Sequence, residues 1–554
     1  MKTLVSAHTI CLALLLLFIV RGASAGPAAV AMPDRYAAAA AEKILREGGN
    51  AVDAAVTAVF VLAVTYPEAG NIGGGGFMLS YMDGEANFLD FRERAPAKAD
   101  RDMFLDEQGN IIPGASLVGG RASGVPGTVR GMLAAHERYG SLPWKHLLQP
   151  AIELAGGGFT VPPMLARYAR ERGAELAGVT NFNHYFGHLQ TGQEFKQAEL
   201  AATLELIARD PDSFYMGSIA RQIVAQMARS DGLITLQDLA TYKALWRDPL
   251  LGSWRGYRLL TAPPPSSGGV ALIQLLSLYD LSGPEFEGVP HNSGQYVHLL
   301  AEIEKRVFAD RAEYLGDSDY VEVPLRQLLN TDYLARRAGD INPGAISPAA
   351  KVTPGLESPD TTHLSVLDAH GNAVSLSYTL NWDFGSGVVV EGAGFLLNNQ
   401  MDDFSAKPGV KNLFGVVGGG RNAIAPGKRM LSSMTPTILV KDKRPALVIG
   451  SPGGSTIFTS LLQVILNLYE YAMPLPEAVE ATRFHHQLPD ALLVRHDERD
   501  IPVETRRSLQ AMGYEVEPNS WGDLGDVQAI RFDGEEAEAV SDSRGRGEAR
   551  LILH

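Results

Sequence analysis

Two runs that alternate apolar and polar residues, Thr362 to Asp368 and Asn372 to Asn381, flank the short segment Ala369-His370-Gly371. A period of two is the signature of a half-buried strand, and a three-residue connection with Gly at its left-handed position closes a hairpin. In that register Leu364 faces Leu376 and Val366 faces Val374 on one apolar face. Thr361 lies opposite Thr379, and Thr361, Thr379 and Asn381 share the other face. A sheet with one apolar face needs a second layer to cover it. The polar face admits two readings: a Thr-rich strand of a sandwich, or a hydroxyl nucleophile at the head of a strand. A threonine can serve as nucleophile when its own α-amine acts as base. That amine is free only if the bond after Asp360 is cut.

The remaining chain reads as mixed helix and strand without repeats. Asp34 is placed to cap a helix over Arg35 to Arg46 that ends at Gly48-Gly49. Val52 to Val64 is apolar nearly all round and stops before Pro67, so it reads as a buried helix. After Gly73-Gly74-Gly75-Gly76 come strands over Phe77 to Tyr81 and Asn87 to Phe91. Residues 126–240 read as mainly helical. A strand over Tyr257 to Ala262, a turn over Pro263 to Gly269 and a helix over Val270 to Leu281 follow. Residues 340–360 are loop-like, broken by Pro343, Pro348, Pro354 and Pro359. Pro436 to Val440 and Pro445 to Ile449 form a second hairpin, which runs through Ser451-Pro452-Gly453-Gly454 into a helix from about Thr456 to Tyr471. Glycines at a helix N-terminus can aim backbone N–H groups at an anion, although a tight strand-to-helix turn explains the same residues.

Composition excludes several classes. The 554 residues carry a net charge of -15, with no basic run, which argues against a nucleic-acid partner. The first 25 residues read as a secretory signal: Lys2, the apolar run Ile10 to Val20, and Ala23-Ser24-Ala25 as the cleavage site. The single cysteine, Cys11, falls inside it, so the mature chain has no thiol chemistry and no disulfide. The apolar run is short for a membrane span, and no other is long enough, so an exported product without a stable anchor is expected, in a periplasm or the medium.

Several isolated motifs fail on spacing or context. His136-Glu137 meets Gly140 where a zinc helix needs a second His. His485-His486, read as a loop pair without a third ligand, is expected to be surface or packing. Asp383-Phe384-Gly385 lacks a kinase catalytic loop, Gly427-Lys428 lacks the Ser or Thr of a phosphate loop, and Gly450-Ser451-Pro452 lacks nucleophile-elbow spacing. No metal or organic cofactor is indicated.

Taken together, six segments carry a resemblance. Pro359-Asp360-Thr361-Thr362-His363-Leu364-Ser365-Val366 resembles the processing site of bacterial gamma-glutamyltransferases (gamma-glutamyltranspeptidases). Leu397 to Phe404, Leu431 to Thr437, Gly450 to Ser455, Asn71 to Phe77 and Asp90 to Pro96 match the family in order. The likeness runs from about residue 27 to about residue 545.

The resemblance implies an α+β fold, the Ntn-hydrolase αββα four-layer sandwich, built jointly by two subunits of one self-cleaving precursor. Residues 1–25 would be the signal peptide, 26–360 the large subunit, and 361–554 a small catalytic subunit beginning at the nucleophile; the two stay associated as a heterodimer. It implies that Thr361 attacks the γ-carbonyl of glutathione or another γ-glutamyl donor while Gly453 and Gly454 hold the oxyanion. Thr379 would hydrogen-bond the nucleophile or its amine. Amino acids, dipeptides or water would accept the acyl group. Arg92 would pair with the donor's α-carboxylate, aided by Ser432 and Ser433; Asn381, Gln400 and Asp403 would hold its α-ammonium. Pro408 to Gly420 matches a lid loop, with Phe414 where many bacterial relatives have a tyrosine. Trp382-Asp383 is bulkier and more charged than the small hydroxyl residues common there. A glutaryl-type beta-lactam (cephalosporin) acylase of the same fold is the alternative, disfavoured by Asp403. An uncleaved, inactive binding protein is a third, disfavoured by the coexistence of Thr361, Thr379 and the glycine pair.

Overall fold

The computed structural model describes residues 26–349, 352, 362–407, 419–497, 499, 501–520 and 522–553. The signal segment, Asp360, Thr361 and Phe414 lie outside the described residues.

Two antiparallel sheets form the centre. The first has seven strands, in the order Glu548–Ile552, Ala28–Met32, Thr362–Leu367, Ala373–Thr379, Gly75–Met82, Glu85–Phe91 and Leu245–Arg247. The second has six, in the order Ala537–Ser541, Gln528–Phe532, Arg444–Gly450, Thr437–Lys441, Tyr257–Thr261 and Leu250–Trp254. Leu364, Val366, Val374 and Leu376 of the first sheet pack into one core with helices Arg35–Arg46 and Ala51–Thr65. The opposite face, with Ala29, Phe77 and Leu79, packs into another core with the second sheet and helices Gly268–Leu281, Gly294–Tyr314 and Thr456–Tyr469. Helix, sheet, sheet and helix therefore stack in four layers. Among the described residues no helix is long and apolar enough to cross a membrane.

The hairpin pairs as its alternation requires: Leu364 with Leu376, Val366 with Val374, and Thr362 with Tyr378. Gly371 turns it at φ +80°. The strand ends at Thr379, and Asn381 lies beyond it at φ +83°, so Asn381 is not a third member of the polar face but a separate turn residue. Asp34 caps the first helix, its Oδ1 accepting from the Tyr36 amide at 2.8 Å. The second helix begins one residue before the expected Val52, because Asn50 caps it and Asp53 returns a bond to the Asn50 amide at 3.0 Å. All fifteen of its residues are buried, as its uniformly apolar sequence demands.

His485-His486 is not on a loop. It belongs to the strand Phe484–His486 and is fully buried. His485 Nδ1 lies 3.0 Å from Thr459 Oγ1, and His486 Nδ1 lies 2.8 Å from the Leu493 carbonyl. Burial pushes both imidazoles down to about 3, so they are neutral packing groups.

Candidate active site

Backbone pairing gathers the site at one end of the two sheets. Thr379 closes its strand opposite Gly75, and Gly76 pairs with Phe91, which puts Arg92 one step past the same sheet end. A Cβ on Gly74 would meet the Thr379 carbonyl at 2.0 Å, so the glycine run lets this backbone lie directly against the Thr379 strand. In the second sheet Thr437 pairs with Ile449, so Ser432-Ser433 enters and Ser451 leaves at a common end.

His363 joins the two sheets. Its Nδ1 lies 2.8 Å from Ser377 Oγ and its Nε2 3.2 Å from Ser365 Oγ. Ser365 donates to the Gln528 carbonyl at 3.0 Å, and Ser375 to the Ile449 carbonyl at 3.1 Å. Burial holds His363 down at about 3, so the ring is neutral. The polar face of the hairpin is thus largely an inter-sheet network. The alternation of Ser and His with apolar residues at 363, 365, 375 and 377 was the available signal for it.

Thr379 is 2% exposed, and its Oγ1 accepts from the Asn381 amide at 2.7 Å. Asn381 Nδ2 donates to the Asn399 carbonyl at 3.1 Å, and the Trp382 amide donates to Asn399 Oδ1 at 3.1 Å. This ties the turn after the hairpin to the segment bearing Gln400 and Asp403. Asn398 anchors that segment by donating to the Gly73 and Gly124 carbonyls at 2.8 Å.

Arg92 and Asp403 are paired with one another, Arg92 Nη2 to Asp403 Oδ2, with 1% and 7% of their side chains exposed. Gln400 Nε2 donates to the same carboxylate oxygen at 2.6 Å. Asp403 Oδ1 and Gln400 Oε1 are buried acceptors without a hydrogen-bond partner among the described residues. Two orphaned acceptors side by side suit a ligand that brings N–H donors, such as an ammonium. Glu93, alongside Arg92, is raised to about 7 by burial. Ser432 and Ser433 are buried; the Ser432 carbonyl accepts from Ser267 Oγ at 2.7 Å, and Arg311 Nε donates to Ser267 Oγ at 2.7 Å. Arg311, which no motif singled out, is a buried guanidinium in the field of Asp403. Its long separation in sequence left no local signal.

Gly453 and Gly454 both have positive φ, +122° and +54°, conformations that suit glycine. Neither amide donates to a backbone acceptor among the described residues. The Gly453 carbonyl instead accepts from Thr456 N at 3.0 Å and Thr456 Oγ1 at 2.8 Å, fixing the turn at the start of helix Thr456–Tyr469. Backbone amides at the positive end of a helix can stabilise an anion. Among the described residues no cluster of His, Cys, Asp and Glu has the arrangement of a metal site.

The Gamma-glutamyltranspeptidase family profile matches residues 37–552. The chain belongs to this family. A glutathione hydrolase proenzyme from Pseudomonas aeruginosa is 56% identical over 526 residues, covering 95% of this chain and 94% of that one. A solved gamma-glutamyltranspeptidase from Pseudomonas nitroreducens, complexed with L-DON, is 54% identical with a TM-score of 0.58, covering 58% of this chain and 97% of that one. A cephalosporin acylase from Bacillus halodurans is 28% identical with a TM-score of 0.84 over 95% and 96% of the two chains. These likenesses fit the Ntn-hydrolase sandwich and make the chain a gamma-glutamyltranspeptidase-type enzyme.

Proposed function

We propose that this gamma-glutamyltranspeptidase acts as a glutathione hydrolase and γ-glutamyl transferase, exported behind a cleaved signal of residues 1–25 and activated by cutting itself between Asp360 and Thr361. The observation that carries the reading is the buried Arg92–Asp403 pair with two acceptors, Asp403 Oδ1 and Gln400 Oε1, that have no hydrogen-bond partner among the described residues. A γ-glutamyl donor brings both an α-carboxylate and an α-ammonium. Arg92 can transfer its fork to the carboxylate, in a geometry lysine does not copy, with Ser432 and Ser433 beside it. Asp403, Gln400 and Asn381 then take the ammonium.

Chemistry follows from the cut. While the Thr361 nitrogen is an amide it cannot accept a proton. An N-to-O acyl shift followed by hydrolysis frees an amine with a reference pKa of ~7.7–8.0, suited to proton shuttling near neutral pH. The Thr361 hydroxyl then attacks the donor's γ-carbonyl, its proton passing to the amine. Gly453 and Gly454 hold the oxyanion, and the amine hands its proton to the leaving nitrogen as the C–N bond breaks. Water or an acceptor amine cleaves the resulting ester and regenerates Thr361. Thr379 orients the nucleophile, and residues 26–360 and 361–554 remain together as a heterodimer. The name "proenzyme" of the Pseudomonas aeruginosa relative is consistent with such processing.

The likeness to a cephalosporin acylase keeps glutaryl amides as the second reading. A glutaryl group has no α-ammonium and would leave Asp403 Oδ1 unsatisfied. Parallel assays of γ-glutamyl and glutaryl anilides test the choice: faster release from the γ-glutamyl compound is expected, and preference for the glutaryl compound would reverse it.

A further inference from the structure

Asp90 is a charged residue on a strand face otherwise given to apolar packing. The strand Glu85–Phe91 puts Leu89 and Phe91 in one core and Phe88 in the core between the two sheets. Asp90 shares the Phe88 side, pairs with Phe77 across the ladder and is 0% exposed. Burying an unpaired carboxylate is strongly unfavourable, so this one must be matched.

Two arginines match it. Arg247 Nε donates to Asp90 Oδ2 at 2.8 Å, and Arg429 Nε lies 3.2 Å from Oδ1. Arg247 is held in turn by Asp319, at 3.0 and 2.7 Å, and Arg429 donates to the Lys243 carbonyl at 2.9 Å. Asp90 Oδ1 also accepts from the Arg92 amide at 2.9 Å, and the Tyr242 hydroxyl donates to the Arg92 carbonyl at 2.8 Å. Both backbone polar groups of Arg92 are therefore fixed by buried side chains.

The bridge spans two walls of the donor pocket. Arg92 follows a strand of the first sheet, whereas Arg429 opens the run Met430-Leu431-Ser432-Ser433 that leads to the second. Apart from Asp403, the Arg92 guanidinium has long contacts: 3.4 Å to the Met430 carbonyl, 3.5 Å to the Leu431 carbonyl and 3.5 Å to Glu93. Contacts of that length hold a side chain weakly. Once a donor separates Arg92 from Asp403, the aim of its fork depends on the backbone clamp and on the spacing of the walls.

We propose that Asp90 is a positioning residue for donor recognition: bridging Arg247 and Arg429, it sets Arg92 against Leu431 to Ser433 and so fixes the seat of the donor's α-carboxylate. The proposal rests on the γ-glutamyl reading above. Asp90 acts through Arg92, not on the donor itself. An amide in its place could still accept from the Arg92 N–H but would not carry the charge that holds two guanidinium groups.

The test uses processed enzyme and three anilides. The γ-glutamyl compound carries both charges, the glutaryl compound the carboxylate alone, and the 4-aminobutanoyl compound the ammonium alone. Slow donors are measured as competitive inhibitors of γ-glutamyl release. Asp90→Asn should weaken the γ-glutamyl and glutaryl compounds about tenfold, through KM or the inhibition constant more than through kcat. The 4-aminobutanoyl compound should move less than about twofold. Arg429→Gln should give the same pattern, and the double variant should lose little more than either single one, because both break one bridge. Equal weakening of all three compounds, or none, would overturn the positioning role, as would losses that multiply in the double variant. If Asp90→Asn does not fold or process, Arg247→Gln decides, since that side chain is 16% exposed and is shared with Asp319. It should weaken only the two carboxylate compounds, about threefold, and equal effects on all three, or none, refute the proposal. A processed wild type that releases no γ-glutamyl group would instead refute the underlying function.

Discussion

The pocket around Arg92 and the cleft of about 350 Å³ beside Gly453, lined also by Glu68 and Asp526, both bury charge, yet they settle it differently. In the first, a guanidinium and a carboxylate from positions 92 and 403 neutralise each other before any ligand arrives. In the second, Glu68 and Asp526 each keep one oxygen without a hydrogen-bond partner among the described residues. A closed pair offsets part of its desolvation cost, and under the proposed function it opens when a zwitterion offers both partners a replacement. Unmatched oxygens cost stability and attract one charge type. Under the proposed function, donor binding at Arg92 and Asp403 is then an exchange of partners, a step that the cleft beside Gly453 does not offer.

Substitutions can break or sharpen that contrast. Thr361→Ala has the largest expected effect because the donor pocket cannot be used without the nucleophile: one unprocessed band on a denaturing gel and γ-glutamyl release at background. Two subunits in that variant would refute self-cleavage at this bond. Asp403→Ala should come next, since it leaves the buried Arg92 with only the Glu93 carboxylate at 3.5 Å, a stability loss of up to ~3–5 kcal/mol. Turnover of γ-glutamyl anilide should fall ~10²-fold or more, and that of a glutaryl anilide much less. Equal losses would remove the ammonium role.

Smaller effects probe the frame that holds both pockets. A Cβ at Gly450 would sit 2.2 Å from the His363 ring. Gly450→Ala should therefore destabilise by ~1–3 kcal/mol in urea unfolding, and an unchanged midpoint would mean the sheets separate easily. His363 itself, held near 3 in the fold, binds its proton more readily when unfolded. Between its unfolded value of ~6.5 and about 3, stability should fall as pH falls, by up to ~1.4 kcal/mol per pH unit. His363→Asn should reduce that slope by up to ~1.4 kcal/mol per pH unit in urea titrations across the window and leave the like contributions of His485 and His486. The smallest change expected is from Phe414→Tyr, a few-fold shift in the transfer-to-hydrolysis ratio, the scale of one added hydrogen bond of ~0.5–1.5 kcal/mol. An unchanged ratio would refute a role for position 414 in that balance.

Much of the scaffold was legible locally. The 362–379 hairpin follows from alternation plus Gly371, and the Arg35–Arg46 helix from the Asp34 cap. The strand Ala28–Met32 was not legible, because five apolar residues show no alternation when both faces are covered. His485-His486 read as a loop for want of a visible partner, yet its strand pairs with Leu493–His496. At the site, residue types could be named from motifs, but the Arg92–Asp403 pairing spans 311 positions and belongs to the fold alone. The same holds for Glu68 meeting Asp526 in one cleft.

N-terminal sequencing of the small fragment from an active preparation tests the central claim most directly. Thr-Thr-His-Leu, beginning at Thr361, is the expected start of a fragment that co-purifies with the large one. Full γ-glutamyl activity from a chain still intact between Asp360 and Thr361 would contradict it.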